Sequence, residues 1–129
     1  MSLEQRALSP LQTNEKNPLL IAQNYNMVKG NTIDNQTRCI HYHSNLDVIA
    51  IKFKCCNTHY PCFSCHEETE LHAPEIWKKE EFNNFAILCG VCKHEMTIHA
   101  YLVCDSVCPN CKAAFNPKCS NHYPLYFEV

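Results

Sequence analysis

Three C-x-x-C pairs, Cys62/Cys65, Cys89/Cys92 and Cys108/Cys111, constrain this chain more than anything else in it. They stand among eleven cysteines and eight histidines in 129 residues. Two thiols three positions apart share one tight turn, so both can reach a single metal ion while the turn amides hydrogen-bond to sulfur. A disulfide scaffold is the competing explanation for so many cysteines. Eleven is an odd number, so complete pairing would strand a thiol, and the histidines between the pairs would have no part in it. Repeated C-x-x-C pairs with intervening histidines favour zinc.

The spacing is most specific in the second half. Cys89-Gly90-Val91-Cys92 and Cys108-Pro109-Asn110-Cys111 are separated by 15 residues, room for one short antiparallel excursion. That is the arrangement of a four-cysteine zinc ribbon. A redox role for Cys108/Cys111 would need a strand before it and a helix after it in a βαβ setting, which the flanking sequence does not supply. In the first half, Cys39, His41, Cys55, Cys56, Cys62, Cys65, His66 and His72 make five cysteines and three histidines, enough for two tetrahedral sites. Their division stays open on spacing alone. The adjacent pairs Cys55-Cys56 and Cys65-His66 suit interleaved sites, but Cys55 or Cys56 could equally join Cys62 and Cys65. Cys104 and Cys119 fall outside the count as ordinary thiols, although Cys104 lies near Cys108 and Cys119 forms C-x-x-H with His122. His43, His59, His94 and His99 read as surface or hydrogen-bonded side chains.

Between the metal residues the elements are short. Val48 to Lys54 alternates as a strand, with Ile49, Ile51 and Phe53 on one face. Pro74 to Phe82 has the opening of a helix. Phe85–Leu88 and Thr97–Val103 suggest strands around the Cys89 turn, and Tyr123–Phe127 an aromatic terminal strand. Residues 1–27 lack cysteine and histidine and read as a polar flexible arm; residues 28–129 form the zinc-binding domain. The expected fold is therefore a small α+β metal-stabilised one, with short antiparallel strands and one helix organised by three zinc sites. So small an apolar core leaves much of the folding free energy to the metal. Tyr42, Phe53, Trp77, Tyr101, Phe115, Tyr123, Tyr126 and Phe127 supply core residues or a surface for a peptide.

The formal charge is −2, and thiolates around zinc would make the loaded domain more negative. Scattered lysines on such a surface argue against nucleic acid as the partner. The run Leu19–Ala22 is four apolar residues, no secretory signal is evident, and no membrane span is expected. An intracellular, soluble protein is expected. A catalytic zinc keeps an open position, whereas four ligands are available for each metal, so Glu67 and Glu68 are not expected to act as a general base and no enzyme is expected.

Cys39, His41 and Tyr42 reproduce the elements after which the CHY-type zinc finger family is named. The resemblance continues through Cys55-Cys56, Tyr60-Pro61-Cys62, Cys65-His66, His72, Trp77 and the two later C-x-x-C pairs, over roughly residues 28–129. It is strongest to the short stand-alone members of bacteria and fungi. The resemblance implies three zinc ions and twelve ligands. Cys39, His41, Cys62 and Cys65 would hold one ion; Cys55, Cys56, His66 and His72 a second; Cys89, Cys92, Cys108 and Cys111 the third. It implies a protein-interaction module without the RING ubiquitin-ligase unit that some members carry. A fungal mitochondrial member raises an alternative, a thiol or zinc exchange helper for cysteine-rich client proteins. The compartment implied is the cytoplasm for a bacterial source and the mitochondrial intermembrane space for a fungal orthologue.

Overall fold

The computed structural model describes residues 28–129, so the arm expected over residues 1–27 lies outside it. Four strands form one antiparallel sheet: β1 (Ile49–Phe53), β2 (Thr58–Tyr60), β3 (Phe85–Cys89) and β4 (Glu95–Thr97), in the spatial order β2-β1-β3-β4. Ile51 faces Tyr60 on one side and Ile87 on the other, and Ile49 faces Cys89. The β3–β4 pairing shifts register between Phe85 and Ile87. The alternation in β1 does what a period of two requires. Ile49, Ile51 and Phe53 enter the main core, while Ala50 joins Val28 and Leu88 in a small cluster of its own.

Helices lie elsewhere than the sequence pattern suggests. The first, α1 (Phe63–Thr69), starts at the C-x-x-C turn itself, where the extended Cys62 caps it by accepting the Cys65 amide on sulfur. The second, α2 (Ile98–Leu102), occupies most of the expected Thr97–Val103 strand. Thr97 ends β4 and caps α2, its hydroxyl accepting the Ala100 amide at 3.0 Å, and Ile98 and Tyr101 then fall on the buried side.

The expected helix over 74–82 is reduced to one 3-10 turn, Lys79–Glu81. Trp77 is instead held extended in a parallel bridge to Phe127. Its amide donates to the Tyr126 carbonyl, its carbonyl accepts from Glu128, and its indole N–H reaches the Lys52 carbonyl at 2.8 Å. A side chain so placed ties the C-terminus to β1, which local helix propensity cannot outweigh. The same tie replaces the terminal strand: Pro117–Leu125 winds as 3-10 turns before Phe127 bridges Trp77.

Candidate metal centre

Three groups of four cysteine and histidine ligand atoms form where the loops meet the sheet, each group lying within 4.8 Å. The first gathers Cys39, His41, Cys62 and Cys65. The Cys39 amide donates to the Tyr42 carbonyl, a tight turn that carries His41 over the start of α1. His41 Nδ1 stands 3.4 Å from the Cys62 and Cys65 sulfurs and 3.8 Å from that of Cys39. Gly30, at φ +102°, passes directly over Cys65; a Cβ there would sit 2.7 Å from the Cys65 Cβ.

The second group is Cys55, Cys56, His66 and His72. Cys55 and Cys56 occupy the turn after β1, with sulfurs 3.9 Å apart, and His66 Nε2 lies 3.3 Å from Cys55 and 3.2 Å from His72 Nε2. Consecutive helix positions point about 100° apart. Cys65 and His66, neighbours in α1, therefore serve different groups, which is the physical origin of the interleaving. The His66 ring stacks on Phe53 at 4.2 Å.

The third group joins two turns built alike. In the first, the Cys89 amide donates to His94 and the Cys89 carbonyl accepts from Lys93; in the second, the Cys108 amide donates to Ala113 and the Cys108 carbonyl accepts from Lys112. Lys93 and Lys112 both take left-handed φ values, 66° and 68°, to close these turns. Amides of Asn110 and Cys111 donate to the Cys108 sulfur, and the Asn110 side chain to that of Cys92, each at 3.4 Å. Gly90 leaves room for the Gln36 carbonyl, which a Cβ would strike.

Zinc–sulfur and zinc–nitrogen bonds of about 2.3 and 2.0–2.1 Å, at tetrahedral angles, set ligand atoms about 3.3–3.8 Å apart. The separations above, from 3.2 to 3.9 Å, and 3.8 Å for Cys39–Cys62, Cys89–Cys111 and Cys92–Cys108, lie at or close to that edge length. All eleven cysteines are free thiols. The donor set thus fits tetrahedral zinc, which when bound cross-links the loops and draws every ligand thiol into its thiolate form. The thiols are already unequal. Hydrogen bonding to Cys62 holds Cys39 down at about 5, and Cys62 is pushed up in turn. Burial raises Cys89, whereas Cys92, despite its own burial, is brought to about 7 by hydrogen bonds led by the Asn110 side chain. Hydrogen bonding to Glu68, 2.9 Å from Nε2, raises His41.

The structure brings the twelve expected residues together in the interleaved grouping, and Cys55 and Cys56 stand apart from Cys62 and Cys65. Cys104 and Cys119 join no group among the described residues; both are half-buried beside Tyr101 and Tyr123. His43, His94 and His99 are exposed, but His59 is buried in β2, and that burial lowers it to about 4. Two features escaped the sequence. Glu68 backs His41 across 27 positions, and a cavity of about 260 Å³ opens beside the first group, walled by Tyr42, Tyr101, Phe115, Tyr123 and Tyr126.

Loops of a small antiparallel sheet that close on three Cys/His tetrads define a zinc-finger protein. The CHY zinc finger family model matches residues 39–123, and the chain belongs to that family. It is 48% identical over 104 residues to Helper of Tim protein 13 of Saccharomyces cerevisiae, covering 78% of this chain and 90% of that protein. The Kluyveromyces lactis protein of the same name is 46% identical, over 78% of this chain and 87% of its own length. An uncharacterized protein of Schizosaccharomyces pombe is 43% identical, over 78% and 88%. The family and the tetrads together support zinc binding. Among the described residues no helix is long and apolar enough to cross a membrane.

Proposed function

We propose that the chain holds three structural zinc ions through the twelve residues named above and acts by docking a protein partner, without catalysing a reaction. The observation that carries this is the completeness of the tetrads: each offers four soft or borderline donors and leaves no position for a substrate or activated water. A partner has a place to bind in the aromatic cavity beside the first tetrad. Tyrosine rings there present apolar faces with polar tips, a surface suited to a polypeptide side chain. The names of two relatives point to a Tim protein as that partner. Fungal relatives also favour the mitochondrial intermembrane space over a bacterial cytoplasm for this chain.

The second reading is exchange of zinc with cysteine-rich clients, favoured by the half-buried sulfurs of Cys55 and Cys56. Native mass spectrometry of the chain, alone and with a reduced Tim protein, separates the two. The docking reading expects three zincs on the free chain and a complex in which all three stay on it. An ion moved to the partner selects exchange. Two zincs plus a disulfide in the free chain would overturn the assignment of ligands, and neither complex nor transfer would overturn both readings of the partner.

A further inference from the structure

We infer that the three tetrads hold metal unequally, and that the second, Cys55, Cys56, His66 and His72, is the exchangeable one, with His72 as the ligand that leaves first. This rests on the zinc-binding reading above and goes beyond it by assigning lability to one set of residues.

The first argument is the donor set. Thiolates are the strongest ligands for zinc among those available, and the second tetrad offers two, against three in the first and four in the third.

The second argument is support behind the ligands. A histidine that binds metal through one ring nitrogen ordinarily donates its other N–H to an acceptor, which orients the ring and strengthens the bond. His41 has Glu68 at 2.9 Å for that purpose. His66, whose Nε2 faces the tetrad, must carry its proton on Nδ1, and Nδ1 is buried without a partner. His72 Nδ1 stands 3.6 Å from Glu70 Oε1, beyond hydrogen-bond length. The sulfurs differ in the same sense. Those of the third tetrad accept from the Asn110 and Cys111 amides and the Asn110 side chain at 3.4 Å, whereas among the described residues no amide comes within hydrogen-bond length of the Cys55 or Cys56 sulfur.

The third argument is access. The first and third tetrads each keep two fully buried cysteines, Cys39 and Cys65, and Cys89 and Cys108, even though Cys92 is half-buried and Cys111 exposed; the second has no fully buried cysteine, and its His72 side chain is 39% exposed. His72 lies between α1 and Trp77 in a segment without regular structure, next to a fully exposed Leu71. It can swing away without breaking a strand pairing. The other three ligands stay in place, because the Phe53 stack holds His66 and the turn after β1 holds both cysteines. The position His72 vacates would face solvent, where a thiolate of another protein can enter.

The test is chelator competition on the reduced, zinc-loaded full chain, followed by native mass spectrometry, with thiol alkylation mapped by peptide. The first ion is expected to leave at least about tenfold faster than the second, since missing outer support costs about 10–100-fold in affinity. The two-zinc intermediate should gain labels at Cys55 and Cys56, over a background at Cys104 and Cys119 that is present from the start. His72→Ala should give the two-zinc form at once, with the near-ultraviolet signal of Trp77 retained. New labels first at Cys39, Cys62 and Cys65, or at the four cysteines of the third tetrad, would overturn the inference. So would loss of all three ions in one step, or three ions and an unchanged first loss in His72→Ala. A native chain with fewer than three ions before any chelator is added would instead sink the zinc assignment, and the inference with it.

Discussion

At the scale of single residues, the candidate metal ligands were legible because repeated C-x-x-C pairs with histidines between them, outside any βαβ setting, admit few alternatives to metal binding. Their supports were not legible. In the sequence Glu68 reads only as a neighbour of His66 that is not expected to act as a base, yet in the fold its carboxylate turns to His41, 27 positions away, while Asn31 holds its other oxygen at 2.8 Å. No local pattern announces a contact that distant. Because the Glu68 hydrogen bond is the leading cause that raises His41, it also makes the ring a better donor to metal. Glu68→Ala is expected to weaken zinc at the first tetrad by about 10–100-fold. Glu68→Gln, which keeps an oxygen to accept the ring N–H, should stay within a few-fold of the parent. Chelator titration read by alkylation of Cys39, Cys62 and Cys65 measures both, and equal loss in the two variants would argue that Glu68 acts only through its charge.

Elements were legible in proportion to how much of their pattern is local. The strand β1 alternates over five residues and was plain. The helices are seven and five residues long, too short for a helical period to declare itself, and each starts from a capping side chain that the sequence presents in another role. Cys62 looks like a ligand only and is also a cap; Thr97 looks like a strand residue and ends the strand. At Trp77 the local signal pointed the wrong way. Pro74 and Glu75 suit a helix start, but burial of the indole against β1 and its bridge to Phe127 settle the segment as extended. Trp77→Ala should therefore cost the zinc-loaded chain about 3–5 kcal/mol, the usual range for removing a buried tryptophan side chain. Urea unfolding at saturating zinc measures it. A cost below about 1 kcal/mol would mean that the C-terminal segment is tied down by something other than Trp77.

For the whole molecule the question is what the metal adds to a core this small. The sheet has strands of five, three, five and three residues, and of the nineteen buried residues in its main cluster five are cysteines of the first and third tetrads. The tetrads are thus part of the core rather than fittings on its surface, and the opening C-x-x-C pattern foretold the architecture for that reason. A structural zinc supplies about 10–16 kcal/mol of apparent binding energy, while a complete domain is stable by only about 5–15 kcal/mol. Loss of one ion from either thiolate-rich tetrad can therefore cancel the whole margin. The second tetrad joins only α1, the turn after β1 and the segment before Trp77, all outside the strand pairings, so its loss is expected to leave the sheet paired. Exhaustive chelation at neutral pH under reducing conditions is expected to keep the near-ultraviolet signal of Trp77 through the first ion and abolish it with the next two. Zinc added back should restore that signal, and magnesium, which prefers oxygen ligands, should not. A metal-free chain that keeps its tertiary signal and protected sheet amides would show that the apolar residues suffice alone. That result would reduce the tetrads to local clasps on a fold already made.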